Sequence, residues 1–148
     1  MTSLRTPVET DSDGHPAYSQ TFPCEPSTAE IGRKLVRDVL GVWHLDGLAD
    51  RAALIITELI ANASRRTPCP EIRLVFGRPS ATRVRVGVVD EEPSRLPALG
   101  KADEDDESGR GLLLIDAVAD RWGYDMQGQG RCPWGKEVWA ELRIESGK

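Results

Sequence analysis

Glu58 and Asn62 stand four residues apart in a segment of helical character, so they project from one side of a helix, about 40° apart around its axis. A carboxylate beside a carboxamide can serve as a general base and as an oxygen ligand for Mg²⁺, a cation that takes few protein ligands. The same spacing also suits an ordinary solvated helix face. Gly109-Arg110-Gly111 precedes an apolar helical run. Free backbone N–H groups, the positive end of a helix dipole and a guanidinium together suit a phosphate chain, although a flexible helix entry reads the same way. The dinucleotide fingerprint is excluded, because it needs three glycines directly after a strand and here an acidic run comes first. Asp90 closes a strand of valines, where it can accept a hydrogen bond from a buried amino group or act as a plain turn residue. His15 and His44 lie outside any nucleophile arrangement, and Cys24, Cys69 and Cys132 form no CxxC pair, so neither a Ser-His-Asp hydrolase, a disulfide framework nor structural zinc is expected.

Glu58 and Asn62 depend on a helix expected from about Leu48 to Arg65, which buries Leu48, Ala52, Ile55, Ile56, Leu59 and Ala63 and stops before Pro68 and Pro70. The apolar stripe is centred roughly 110° from Glu58, which leaves the pair on the rim between core and solvent. An earlier helix begins at a Ser27/Glu30 capping box and shows an apolar face of Ile31, Leu35 and Val39, with Val36, Leu40 and Trp43 beside them. Tyr18 and Phe22 bracket a short strand before it. Asp90 depends on a hairpin in which Ile72, Leu74 and Phe76 alternate with polar residues, Val84, Val86 and Val88 do the same, and residues 77–82 turn the chain. The glycine pair opens a third helix from Leu112 to Trp122, ended by Gly123 in a left-handed cap. A strand near Tyr124 and another through Val138 to Leu142 finish the chain. The order β-α-α-β-β-α-β-β implies an α+β fold, a two-layer α/β sandwich with helices on one face of a mixed, mostly antiparallel sheet.

Residues 1–16 are rich in Thr, Ser, Asp, Gly and Pro and read as a flexible arm, leaving 17–148 as one domain. At 148 residues a second domain is not expected. Residues 91–108 show no apolar period, and an irregular segment of that length inside a domain reads as a functional lid or a disordered loop. The chain carries 19 basic and 24 acidic residues, a net charge of −5, which provides no footprint for the phosphate backbone of nucleic acid. No run is long and apolar enough for a membrane span or a signal peptide, so a cytoplasmic location without membrane contact is expected.

The blocks Glu58-Leu59-Ile60-Ala61-Asn62-Ala63, Val88-Val89-Asp90 with Pro93 and Pro97, Ser108-Gly109-Arg110-Gly111-Leu112, and Gly135-Lys136-Glu137-Val138-Trp139-Ala140-Glu141-Leu142 occur in a fixed order. In that order they resemble the N box, G1 box, G2 box and closing strand of the small bacterial ATP-binding proteins of the anti-sigma-factor serine kinase type. That family has the Bergerat, or histidine kinase-like ATPase, fold. The resemblance covers about residues 20–143. It implies Mg-ATP as cofactor, Glu58 as catalytic base and Asn62 as Mg²⁺ ligand. It also implies Asp90 as acceptor for the adenine amino group, Gly109, Arg110, Gly111 and Leu112 as the phosphate cradle, and 91–108 as the ATP lid. The implied activity is that of a serine/threonine protein kinase that binds a sigma factor and phosphorylates an antagonist; a non-catalytic, ATP-dependent protein-binding module in a partner-switching system is the alternative. A homodimer is implied by the family alone. The chain differs from the family pattern at Glu91, Glu92 and Ser94, where glycines are usual, at Arg66, where histidine is frequent, and at Lys136 and Glu137, where threonine is frequent.

Overall fold

The computed structural model describes residues 9–10, 16–66, 71–91, 107–128 and 134–144, with the backbone alone described at 9–10, 64–66 and 107–112. A two-residue strand β1 (Glu9–Thr10) and β2 (Pro16–Pro23) lead into α1 (Thr28–Val42). A single 3₁₀ turn, Asp46–Leu48, then precedes α2 (Ala49–Arg66). The hairpin β3 (Glu71–Ser80) and β4 (Arg83–Asp90) follows, and α3 (Glu107–Val118), β5 (Arg121–Gln127) and β6 (Gly135–Arg143) complete the fold. The strands form one sheet in the order β1-β2-β3-β4-β6-β5. Each of its five described pairings is antiparallel, so the sheet is not the mixed one expected. The α+β class agrees with the sequence reading, and so does the element order from β2 onward; β1 is an additional strand in the segment read as an arm.

Alternation decides which face is core. Ile72, Leu74 and Phe76 of β3, Val84, Val86 and Val88 of β4, and Val138, Ala140 and Leu142 of β6 are buried on one face, in one cluster with α1, α2 and Ile115 of α3. All six apolar residues expected on α2 are buried, joined by Ala49, Ala53 and Ile60.

α1 differs from its expected face. Its buried stripe runs through Thr28, Gly32, Val36, Val39 and Leu40, while Ile31 is 43% exposed. Gly32 is the reason: a Cβ there would stand 2.8 Å from Ile60 Cδ1 and 3.4 Å from Leu74 Cδ1, so its absence lets α1 press against α2 and β3. The capping box does not form. Ser27 Oγ donates to Glu25 Oε2 at 2.9 Å, and the adjacent Thr28 hydroxyl donates to the Pro23 carbonyl at 2.7 Å.

The 77–82 turn is shorter than expected, since β3 continues to Ser80 through a register shift after Gly77. The third helix also differs at both ends. It starts at Glu107, so 109–111 lie inside its opening turns, and it stops at Val118. Trp122 and Gly123 belong to β5, where Gly123 pairs with Trp139 and caps no helix. Of the expected arm, Glu9 and Thr10 pair with Ala17 and Pro16. Of the expected lid, Glu91 follows β4 and 107–108 open α3, whereas 92–106 lie outside the described residues.

Candidate functional site

Topology brings the expected blocks to one end of the sheet. α2 ends at Arg66 and β3 begins at Glu71, so the helix finishes over the sheet end at which β3 starts. Cys24, just past β2, lies there too, with its Sγ 3.9 Å from the Ala63 carbonyl. The register Arg73↔Val89 puts the end of β4 at that same end, and Asp90 pairs directly with Lys136. α3 runs back from the opposite end, because only two residues separate Val118 from Arg121, whose partner is Glu141. Its twelve residues span about 18 Å. α2 packs on both β4 and α3.

On α2, Glu58 and Asn62 are half-buried beside the fully buried Leu59, Ile60 and Ala63, the rim position the periodicity implies. Between them and the preceding turn, Thr57 donates to the Ala53 carbonyl at 2.7 Å and accepts from Arg33 at 3.2 Å. Asn62 carries its side-chain carbonyl oxygen at this rim, and among the described residues no group of three or more His, Cys, Asp or Glu side chains could hold a metal ion.

Asp90 accepts from a buried amino group of the chain itself. Its side chain is buried, 3% exposed, and both carboxylate oxygens accept from the Lys136 ammonium, at 3.0 and 3.1 Å. Lys136 is 2% exposed. The ion pair sits on the core face of the sheet, because Asp90 continues the Val84-Val86-Val88 alternation and Lys136 that of Val138-Ala140-Leu142. Gly135 fixes the backbone beside it: a Cβ at that position would lie 2.1 Å from the Asp90 carbonyl oxygen. Sequence reasoning noted Lys136 only as a difference from a family pattern. Two charged residues on otherwise apolar alternating faces were the available signal.

The helix-free face carries the other charges. Arg85 lies over the Trp139 ring at 4.1 Å and Arg121 at 5.5 Å. The buried Glu141 is flanked by Arg85 at 3.3 Å, Arg121 at 3.6 Å and Arg83 at 3.8 Å. Glu137, next to Lys136 but facing the opposite way, lies over Gly87, and its Oε2 is buried with no hydrogen-bond partner among the described residues. Burial pushes its carboxyl above the ordinary carboxylate range, Arg85 opposes that rise and Asp125 adds to it. A cavity of about 530 Å³ opens on this side, lined among others by Ser19, Thr21, Arg73, Val75, Val89 and Glu137. Of the expected site residues, Asp90 lines it and Glu58 and Asn62 do not. Among the described residues, no helix is long and apolar enough to cross a membrane.

No family model matches the chain. It is 44% identical over 77 residues to an uncharacterized protein of Streptomyces coelicolor, SCO4941, a match spanning 51% of this chain and 70% of the relative. Identity at that level over more than two thirds of the relative means that the chain belongs to the same family as the Streptomyces coelicolor protein.

Proposed function

We propose that the chain is a regulatory protein of the anti-sigma-factor serine kinase type, acting as a binding module that holds and releases a protein partner. A sigma factor and its antagonist are the partner class, as the four ordered blocks imply. The observation that carries this reading is that chain order and sheet register bring the C-terminal turns of α2, with Asn62, and the end of β4, with Asp90, to one end of the sheet. Blocks so far apart in sequence have no chain-local reason to converge. The binding version is preferred over phosphotransfer because it asks the least of these residues. Holding a partner needs a complementary surface of roughly 800 Å² on each side and no chemical step. Release follows from a charge change on the antagonist, since a phosphoserine adds about two negative charges.

The test titrates purified protein with each sigma factor and each candidate antagonist of the source organism, by calorimetry. Saturable binding to a member of each class is the expected result. Absence of binding across the panel would overturn the reading.

Glu58 favours a second reading, catalysis, because a half-buried carboxylate one helical turn from Asn62 is where a base for a serine hydroxyl would stand. Incubation with labelled Mg-ATP and the antagonist separates the two. Label on a serine, reduced about 10²- to 10⁴-fold by Glu58→Gln, would establish the kinase. Partner binding with no transferred label leaves the module.

A further inference from the structure

We infer that the outer edge of β5 is a docking surface for a second copy of this chain, the two β5 strands pairing antiparallel about a two-fold axis at Gly123 so that one sheet runs through both copies. The resemblance implies a homodimer but no surface for one; this surface is read from β5 itself and needs no part of the partner reading.

Among the described residues, β5 is the outermost strand on its side of the sheet. The opposite edge is formed by β1, only two residues long, which offers little to pair with. β5 has seven residues and neither proline nor lysine, the residues that most often block an open edge. Register shows which of its backbone groups are free. Ile144 donates to the Thr82 carbonyl at 2.7 Å in the frame of the β4–β6 ladder, so the even-numbered residues of β6 bond to β4. The odd-numbered ones turn to β5, as the Glu141 carbonyl does in accepting from Asp120 at 2.9 Å. Their partners Arg121, Gly123 and Asp125 therefore use their backbone groups on β6, and the N–H and C=O of Trp122, Tyr124 and Met126 point out of the sheet.

The pattern of this edge is complementary to itself. Residues opposite one another in an antiparallel pair share backbone orientation, so a two-fold axis must pass at a residue of the strand. At Gly123 it sets Trp122 opposite Tyr124 of the second copy, and these exchange both N–H···O bonds on either side of the axis. On the helix-free face the same axis sets Arg121 opposite Asp125 of the second copy, in the non-hydrogen-bonded positions where side chains come closest. An axis at Trp122 or Tyr124 would put Gly123 opposite one of these charges, and an axis at Asp125 would set two carboxylates against each other. Arg121 and Asp125 side chains are both 56% exposed. Their contacts within the chain, to Glu141 at 3.6 Å and Arg85 at 3.8 Å, are longer than hydrogen bonds, so each can take a new partner. On the other face Tyr124 is 40% exposed, and the pairing covers it with the indole of Trp122 from the second copy.

The experiment measures the mass of the full-length chain by sedimentation over a range of concentrations, with hydrogen exchange read at both ends of the range. The wild type is expected to dimerise, and the Trp122 and Tyr124 amides to be protected in the dimer and exposed on dilution. Tyr124→Pro removes an outward N–H that the β6 ladder does not use, and is expected to be a folded monomer. Asp125→Arg and Arg121→Asp each set like charges opposite one another on both sides of the axis, and each is expected to dimerise about tenfold or more weakly. An equimolar mixture of these two restores opposite charges in both pairs and is expected to associate as tightly as the wild type. A wild type that stays monomeric overturns the inference. So does a dimer whose Trp122 and Tyr124 amides exchange as fast as in the monomer, or one that persists in folded Tyr124→Pro, since the copies would then meet elsewhere. Should Tyr124→Pro not fold, the mixture decides, and a mixture no tighter than its separate components overturns the inference.

Discussion

The Asp90–Lys136 pair allows a quantitative prediction about stability that needs no ligand. Its charges are about 97% or more withdrawn from solvent and in contact at 3.0 Å. At an effective dielectric of about 20, unit charges some 4 Å apart attract by about 4 kcal/mol, but desolvation of both groups offsets most of that. Breaking such a pair from one side leaves an uncompensated buried charge and destabilises by about 3 to 5 kcal/mol. Replacing both partners by apolar groups of similar volume is close to neutral or stabilising. Lys136→Met and Asp90→Leu should each therefore lose about 3 to 5 kcal/mol, which for a chain of this size lowers Tm by about 6 to 20 °C. Asp90→Leu/Lys136→Met should recover most of the loss. Urea unfolding read at constant m measures all four corners of the cycle. Independent sites add within about 0.5 kcal/mol, so a double variant equal to the sum of the singles would refute the buried pair. Single losses under about 1 kcal/mol would do the same, since that is the range of an exposed ion pair.

Three further outcomes follow from local geometry. Gly135→Ala places a Cβ 2.1 Å from the Asp90 carbonyl, a backbone atom with little freedom, and should destabilise by about 1 to 3 kcal/mol while fraying the Asp90–Lys136 end of the ladder in hydrogen exchange. His44, which follows α1, has φ 61°, a left-handed conformation that disfavours residues with a Cβ, so His44→Gly should raise stability by about 1 kcal/mol in the same urea assay. Glu137 has a carboxyl raised in the fold by burial, so the native state holds its proton more tightly than the unfolded chain. Its contribution is neutral below the unfolded carboxylate value and becomes destabilising as pH climbs from there through the raised folded value. Glu137→Gln should accordingly gain on the wild type as pH rises from about 4 toward 7, with the difference vanishing at the acid end; a pH-independent difference would remove the titration from the account.

Burial explains which parts of the fold were legible in the sequence. Where one face of a strand is buried, a one-residue slip would turn every valine of β4 to the wrong side, so the alternation in Val84, Val86 and Val88 admits a single reading. The stripe of α2 is equally constrained, and with it the rim position of Glu58 and Asn62. Trp122 was not constrained in that way. It continues the helical spacing of Ile115 and Val118 and also begins the alternation of β5, where it pairs with Ala140, so a short apolar stretch satisfied both periods. Its indole N–H reaches back to Asp116 Oδ1 at 2.8 Å, stitching β5 to the helix into which the sequence reading had placed it. On α1, Val36, Val39, Leu40 and Trp43 are in the core as expected, and Ile31 was misplaced for the opposite reason. Glycine carries no apolar signal, yet the missing side chain of Gly32 is what sets the helix face.

The ion pair was illegible for a different physical reason. Strand alternation identifies the faces of β4 and β6, but only their register, across 46 positions of sequence, puts Lys136 opposite Asp90. The same alternation separates the neighbouring charges of the closing strand: Lys136 turns to the core and neutralises Asp90, and Glu137 turns to the helix-free face and lies over Gly87. Neither placement is what stability alone would select, since an apolar pair often packs as well as a buried ion pair and burial of the Glu137 carboxyl disfavours its charged form. The ladder register thus sends one charge of a consecutive pair to each face of the sheet, and alternation by itself does not say which of the two meets an opposite charge across 46 positions of sequence.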